Sequence, residues 1–170
     1  GLKLCIKPEA KYIVANGRYL YVPDGVKLEN GVVLVPVRTL CQALGAKVVW
    51  NGAESVIEIT SGSGPIASGD SFYDQEDLYW LSRIIYAESG NQSLEGKIAV
   101  GNVVLNRVAS PQFPNSVYSV IFQRNQFTPA SNGRINRTPT AECVIAAKLA
   151  MEGTNTAGNA LYFINPSISS

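Results

Sequence analysis

The chain has 170 residues, a formal net charge of +1 from 14 basic and 13 acidic side chains, and no histidine. The absence of histidine excludes Ser-His-Asp and Cys-His triads, histidine general bases and histidine-ligated zinc. Charged residues make up 16% of the chain, which gives no sign of the concentrated basic patch that nucleic-acid binding requires. Any catalysis must therefore use carboxylates, tyrosines, amides, lysine or cysteine.

Cysteine spacing and hydropathy argue against a cysteine metal site, a redox motif and a membrane span. Cys5, Cys41 and Cys143 are far apart without a CxxC pair, so neither a metal site nor a redox motif is predicted. No run of 18 apolar residues is present, so no membrane span is predicted. The opening GLKLCIK lacks the apolar core of a signal peptide, which is expected of a cytosolic chain or of a processed or trimmed one.

Composition along the chain predicts two modules. Residues 61–71, SGSGPIASGDS, consist mostly of glycine, serine and proline and are predicted to be a linker. Residues 1–60 contain short β-rich runs around one helical stretch, RTLCQALG, and are expected to form a small α+β module. Residues 72–170 show apolar residues at three- and four-residue intervals, which predicts a mainly α module whose last helix spans about residues 142–153.

Turn residues organise the first module. Asn16-Gly17, between YIVA and RYLYV, favours the type I′ turn of a hairpin, and Asn30-Gly31 before VVLVPVR does the same. Pro36 lacks a backbone donor, so that run is either an edge strand or breaks into the helix. Gly45 ends the helix.

The stretch NGVVLVPVRTLCQALGAKVVWNGAESVIEI resembles the copper amine oxidase N-terminal-like domain, at Gly31, Val35 to Arg38, Leu44 to Ala46 and Trp50. The resemblance implies an accessory stalk on a bacterial envelope protein. Copper is not implied, since a copper site would be hard to build without histidine. The ligand of this module is left open between cell wall, a protein partner and none, and Trp50 is expected to be a core residue.

The first helix of the second module carries a carboxylate on its apolar face. It begins after Asp74, a good N-cap, and is predicted to run to about Glu88, which lies within roughly 60° of Leu81, Ile84 and Ile85 on a helical wheel. Burial and the negative end of the helix both raise the pKa of such a carboxyl group. A protonated acid of this kind can donate to a glycosidic oxygen. The alternative is a fraying last turn that points to water.

The next helix is predicted over about residues 94–109. Its polar residues Glu95, Asn102 and Asn106 lie within about 20° of one another, which indicates either a cleft wall or an exposed stripe. The SGNQS segment between Glu88 and Glu95 breaks the helix, so their separation cannot be read from the sequence. That separation distinguishes retaining from inverting glycosidases.

Two later segments combine aromatic rings with amides. A short helix at residues 116–122 leads to a polar loop with Gln126 and Phe127, and ALYFINPS places Tyr162 before an Asn165-Pro166 turn. Aromatic faces beside amides are typical of a sugar subsite. Tyr162 is the better cleft candidate.

Three segments, IIYAESGNQSLEGKIAVGNVVLNRV, FPNSVYSVIFQRNQF and ALYFINP, together resemble the cell wall hydrolase family of spore cortex-lytic enzymes, of the SleB and CwlJ type. The resemblance covers about residues 75–170. It implies a lysozyme-like α-helical fold of lytic transglycosylase type, with Glu88 as the catalytic acid. It further implies an extracytoplasmic protein, secreted and associated with the cell wall or spore cortex of a bacterium.

Peptidoglycan glycan strands are the implied partner. Glu88 is expected to act alone as acid and then base, without cofactor or metal, and to release a 1,6-anhydro sugar. Substrate positioning is assigned to Glu95, Asn106, Gln126, Phe127 and Tyr162. The alternatives are a hydrolytic muramidase or glucosaminidase on the same fold, and a non-catalytic wall-binding protein. Family members continue beyond this point with a tryptophan-bearing segment and a histidine-bearing strand, so the C-terminal end of the domain is expected to be missing.

Overall fold

The computed structural model describes residues 1–163 and divides the chain into two compact units, Gly1–Phe72 and Tyr73–Ser170. The first unit contains all the strands among the described residues, and the second is helical. The predicted class, an α+β module followed by a mainly α domain, is confirmed. The Asn165-Pro166 turn lies outside the described residues.

A three-stranded antiparallel sheet organises the first unit. It consists of β1 (Leu4–Cys5), β2 (Tyr12–Ala15) and β3 (Arg18–Tyr21), with β2 in the centre. Asn16 and Gly17 join β2 to β3 with φ angles of 50° and 80°, which are the positive values that a type I′ turn requires. The predicted hairpin is therefore present, and its inward residues join a fully apolar core made of Ile13, Ala15, Leu20, Val22, Val26 and Ala43.

Two further hairpins flank a short helix. Strands β4 (Lys27–Glu29) and β5 (Val32–Leu34) pair, helix α1 (Val37–Ala43) follows, and β6 (Lys47–Asn51) pairs with β7 (Val56–Thr60). Pro36 is the N-cap of α1, so the VVLVPVR run breaks into the helix there. Trp50 is 58% exposed. The expectation of a core tryptophan is wrong, because the β6–β7 hairpin exposes this side chain.

Part of the segment predicted as a linker packs within the first unit. The Asn16 side chain donates to the carbonyl of Ile66 at 2.9 Å, and Ile66 packs against the apolar core. Helix α2 (Gly69–Phe72) ends the unit. A Cβ on Gly45, where φ is +62°, would lie 2.4 Å from the Gly64 carbonyl oxygen, so only glycine fits there.

Helices α3 (Gln75–Ser89), α4 (Leu94–Ala109) and α7 (Ala141–Met151) form the body of the second unit. Short helices α5 (Val117–Ile121) and α6 (Thr128–Ser131) and a 3₁₀ turn (Arg134–Asn136) lie between α4 and α7 in the chain. Helix α4 packs against both α3 and α7. A Cβ on Gly101 of α4 would lie 3.1 Å from the Ala150 Cβ and 3.2 Å from the Ile85 Cδ1. The close approach of the three helices therefore depends on a residue without a side chain.

Polar caps fix where these helices begin. Asp74 accepts hydrogen bonds from the backbone N–H groups of Glu76 and Asp77, both at 2.9 Å. Ser93 and Thr140 cap α4 and α7 in the same way. Such caps satisfy backbone donors that have no partner inside the helix. Within residues 1–163, no helix is both long enough and apolar enough to span a bilayer.

Candidate active site

Glu88 lies in the last turn of α3, half-buried, on the wall of a pocket. The pocket encloses a cavity of about 280 Å³. Its walls come from the end of α3, the loop after it, helix α4 and the segment that follows α7. The lining residues are Glu88, Ser89, Gln92, Gly96, Ala99, Val100, Val103, Ala157, Ala160, Tyr162 and Phe163. Among these described lining residues, Glu88 carries the one carboxyl group.

Burial determines the protonation of Glu88. Partial removal from water raises the pKa of this carboxyl group, and the Arg134 guanidinium opposes the rise. The apolar wall formed by Ala99, Val100 and Val103 gives the ionised form little solvation. Glu88 therefore keeps a proton at a higher pH than an ordinary glutamate, which is the property of a general acid.

A buried lysine holds the loop that forms one rim of the pocket. Lys97 is 3% exposed, and its ammonium donates to the carbonyl of Gln92 at 2.7 Å and pairs with the carboxylate of Glu142 on α7. The loop that carries Gln92 is thereby attached to two helices. This arrangement fixes the position of Gln92 in the pocket wall.

Two asparagines of α4 hold that segment. Asn102 donates to the Thr154 carbonyl at 2.8 Å and accepts from the Thr156 backbone N–H at 2.9 Å. Asn106 donates to the carbonyls of Gly158 and Ala160 at 2.9 and 3.0 Å. The polar stripe predicted on α4 is therefore used to bind the segment that carries Tyr162.

Arg107 holds the next residues of the same segment. Its side chain is 4% exposed, and its Nε donates to the Leu161 carbonyl at 2.7 Å. The guanidinium carbon lies about 5 Å from the ring centres of Phe113, Phe127 and Tyr162. The Arg107 side chain thus fixes the backbone beside Tyr162, a role that the sequence did not predict.

The structure brings two of the predicted site residues together at the pocket, Glu88 and Tyr162. Tyr162 is 67% exposed, so its ring is accessible to a ligand. Glu95 and Asn106 are not among the lining residues, and the backbone carbonyl of Glu95 accepts from the Thr156 hydroxyl at 2.9 Å. The Asn106 side chain and the Glu95 backbone therefore hold the segment that carries Tyr162.

The two predicted site residues of the loop before α6, Gln126 and Phe127, do not line the pocket. Gln126 is exposed and is not among the lining residues. Phe127 is 4% exposed, and its ring packs near Arg107 and Phe163. Phe127 is not among the lining residues, and its contact with substrate stays a prediction.

Sequence reasoning also missed Arg134. Its guanidinium donates to the Ala87 carbonyl at 3.3 Å and is the charged group that opposes the raised pKa of Glu88. The sequence offered no signal for it, since an isolated arginine in a polar loop is most often a solvated surface residue.

The described residues form a β-rich module followed by a helical unit, and Glu88 is the acidic residue among the described residues that line its pocket. A family model described as Cell Wall Hydrolase matches residues 91–170, and one described as Copper amine oxidase N-terminal domain matches residues 3–67. The catalytic domain of the germination-specific lytic transglycosylase SleB from Bacillus anthracis is 37% identical with a TM-score of 0.54, over 62% of this chain and 84% of that chain. The catalytic domain of the Bacillus cereus SleB protein is 37% identical with a TM-score of 0.53, over 64% and 84%.

The chain therefore belongs to the SleB-type cell wall hydrolase family, with a copper amine oxidase N-terminal domain before the hydrolase region. A spore cortex-lytic enzyme from Bacillus cereus is 40% identical over 94 residues, which are 55% of this chain and 36% of the relative. One from Oceanobacillus iheyensis is 35% identical over 106 residues, 62% of this chain and 38% of the relative. The chain thus spans little more than a third of these relatives.

Proposed function

We propose that the second unit degrades peptidoglycan as a lytic transglycosylase, cleaving the glycosidic bond between N-acetylmuramic acid and N-acetylglucosamine. The observation that carries the proposal is Glu88, a half-buried carboxyl group with a raised pKa on the wall of a pocket. The names of the similar proteins, spore cortex-lytic enzyme and germination-specific lytic transglycosylase, support the substrate class. The same names support action at the wall or spore cortex, outside the cytoplasm.

One carboxyl group is sufficient for this reaction. Protonated Glu88 donates its proton to the glycosidic oxygen, the bond from that oxygen to the muramic C1 breaks, and positive charge develops at C1. The muramic C6 hydroxyl then bonds to C1 and gives its proton to the ionised Glu88. The product is a 1,6-anhydro sugar, and Glu88 regains its proton. The absence of a second carboxyl group among the described lining residues favours this route over mechanisms that use an acid and a separate base.

The remaining site residues act in binding and support. The exposed ring of Tyr162 is placed to stack on a pyranose ring at the pocket mouth. Asn106 and Glu95 act through the segment that carries Tyr162, and Phe127 through Arg107. Gln126, exposed in the loop before α6, remains a proposed contact to a longer glycan.

Product analysis tests the reaction type. The chain is incubated with purified vegetative peptidoglycan and with cortex peptidoglycan that contains muramic δ-lactam, and released fragments are examined by mass spectrometry. Fragments ending in 1,6-anhydro-muramic acid are expected. Fragments with reducing ends alone would show that the enzyme is a hydrolytic muramidase or glucosaminidase. Release of no fragments from either substrate would favour a wall-binding protein.

A further inference from the structure

The C-terminal end of α3 carries negative charge that no basic side chain of its own last turn neutralises. The last backbone carbonyls of a helix have no partner inside the helix and form its negative end. Helix α3 ends at Ser89, so Glu88 places a second negative group in the same turn whenever it is ionised. A helix end of this kind is stabilised by a positive charge, and the last turn of α3 contains no basic residue.

Arg134 supplies that charge from another element. Its guanidinium Nη2 donates to the carbonyl of Ala87, the residue before Glu88, at 3.3 Å. The two residues are 47 positions apart in the chain, and the contact exists because the 3₁₀ turn packs against α3.

The turn that carries Arg134 is fixed by its own contacts. Gly133 precedes it with a φ of 78°, and the Arg134 backbone N–H donates to the Asn132 side chain at 3.1 Å. Ile135 is 1% exposed and anchors the turn in the core. The arginine side chain is exposed but starts from a backbone with a defined position.

We propose that Arg134 is a positioning residue for Glu88, and that its guanidinium both holds the last turn of α3 and stabilises the carboxylate that forms when Glu88 gives up its proton. This rests on the proposed function. Burial keeps the proton on Glu88 before the reaction. Once that proton has been donated, the Arg134 guanidinium lowers the free energy of the ionised Glu88 carboxylate. Among the other ionisable groups near the pocket, Tyr162 lines it, Glu95 lies in the first turn of α4, and the Lys97 ammonium is directed to Gln92 and Glu142.

Two substitutions at Arg134 separate its charge from its hydrogen bond, and a third substitution, at Arg137, is the control. Arg134→Gln keeps an N–H donor but removes the charge. Arg134→Lys keeps the charge. Arg137→Gln removes an exposed arginine that follows the same turn and is the matched control. The midpoint of the Glu88 carboxyl titration is followed in the full chain by ¹³C NMR, with the signal assigned by its loss in Glu88→Gln.

The expected result is a shift of the Glu88 midpoint to higher pH in Arg134→Gln, with values close to the unmutated chain in Arg134→Lys and Arg137→Gln. An unchanged midpoint in Arg134→Gln, or an equal shift in Arg137→Gln, would overturn the proposal. In kinetics, the alkaline limb of the kcat/KM profile should move with the same sign, because activity needs protonated Glu88. The titration does not depend on turnover, so a failure of the proposed function would appear separately, as lysis that persists in Glu88→Gln.

Discussion

Replacing Arg107 by alanine should destabilise the second unit and weaken substrate binding. Loss of the charge-assisted bond to the Leu161 carbonyl at 2.7 Å costs about 1.5–3 kcal/mol. The ring contacts of the guanidinium with Phe113, Phe127 and Tyr162 add about 0.5–1 kcal/mol each. Among the described residues the buried Nη1 of Arg107 has no hydrogen-bond partner, so its removal raises the free energy of unfolding by about 1 kcal/mol. The expected net loss is about 2–5 kcal/mol.

Urea unfolding of the second unit measures this loss. The chain has two tryptophans, one in each unit, so Trp80 fluorescence in a Trp50→Phe background reports the second unit alone. Arg83→Ala is the matched control, because Arg83 stacks on the ring of Tyr79, a side chain that is 47% exposed, and should cost less than about 1 kcal/mol. An Arg107→Ala chain as stable as the parent, or no more destabilised than Arg83→Ala, would refute the reasoning. In activity assays Arg107→Ala should raise KM more than it lowers kcat.

In the first unit, Asn16→Ala should lower the free energy of unfolding by about 1.5–3 kcal/mol, since alanine at positive φ is strained and the bond to Ile66 is lost. Asn16→Gly, which relieves the strain, should lose less, and Trp50 fluorescence in a Trp80→Phe background measures both. For Glu88, burial raises the folded-state pKa, so its contribution to stability is present at acid pH and is lost as pH rises through that pKa. Glu88→Gln should therefore be more stable than the parent at pH 7, and urea titrations should show this gain disappearing below about pH 4, near the ordinary glutamate pKa. A gain that persists at acid pH would contradict the assignment.

Local features of the fold were predictable because they depend on neighbouring residues. The Asn16-Gly17 turn follows from the φ angles these residues tolerate, and α3 begins at the Asp74 cap that the sequence predicts. The helical wheel likewise placed Glu88 on the apolar face of α3, with a fraying last turn that points to water as the alternative. These inferences needed only the geometry of one turn or one helix.

Contacts between distant residues were not predictable in the same way. Leu161 is 54 positions from Arg107 and Ala87 is 47 from Arg134, and neither pairing leaves a local pattern. The polar stripe of α4 was predicted to be a cleft wall or an exposed stripe, whereas Asn102 and Asn106 bind the segment after α7, whose path the sequence does not show. The burial of Phe127 was not predictable for the same reason, since an aromatic residue in a polar loop gives the same sequence pattern whether its ring is buried or exposed.

The most direct test of the central claim compares the release of anhydro-muropeptides by the parent chain, Glu88→Gln and Glu76→Gln. Glu76 lies in the first turn of the same helix, exposed and away from the pocket, so it controls for the loss of a carboxylate from α3. Release by Glu88→Gln should fall by about 10²-fold or more, while Glu76→Gln keeps the parent rate and all three chains remain folded. A folded Glu88→Gln chain that releases anhydro-muropeptides at the parent rate would contradict the account.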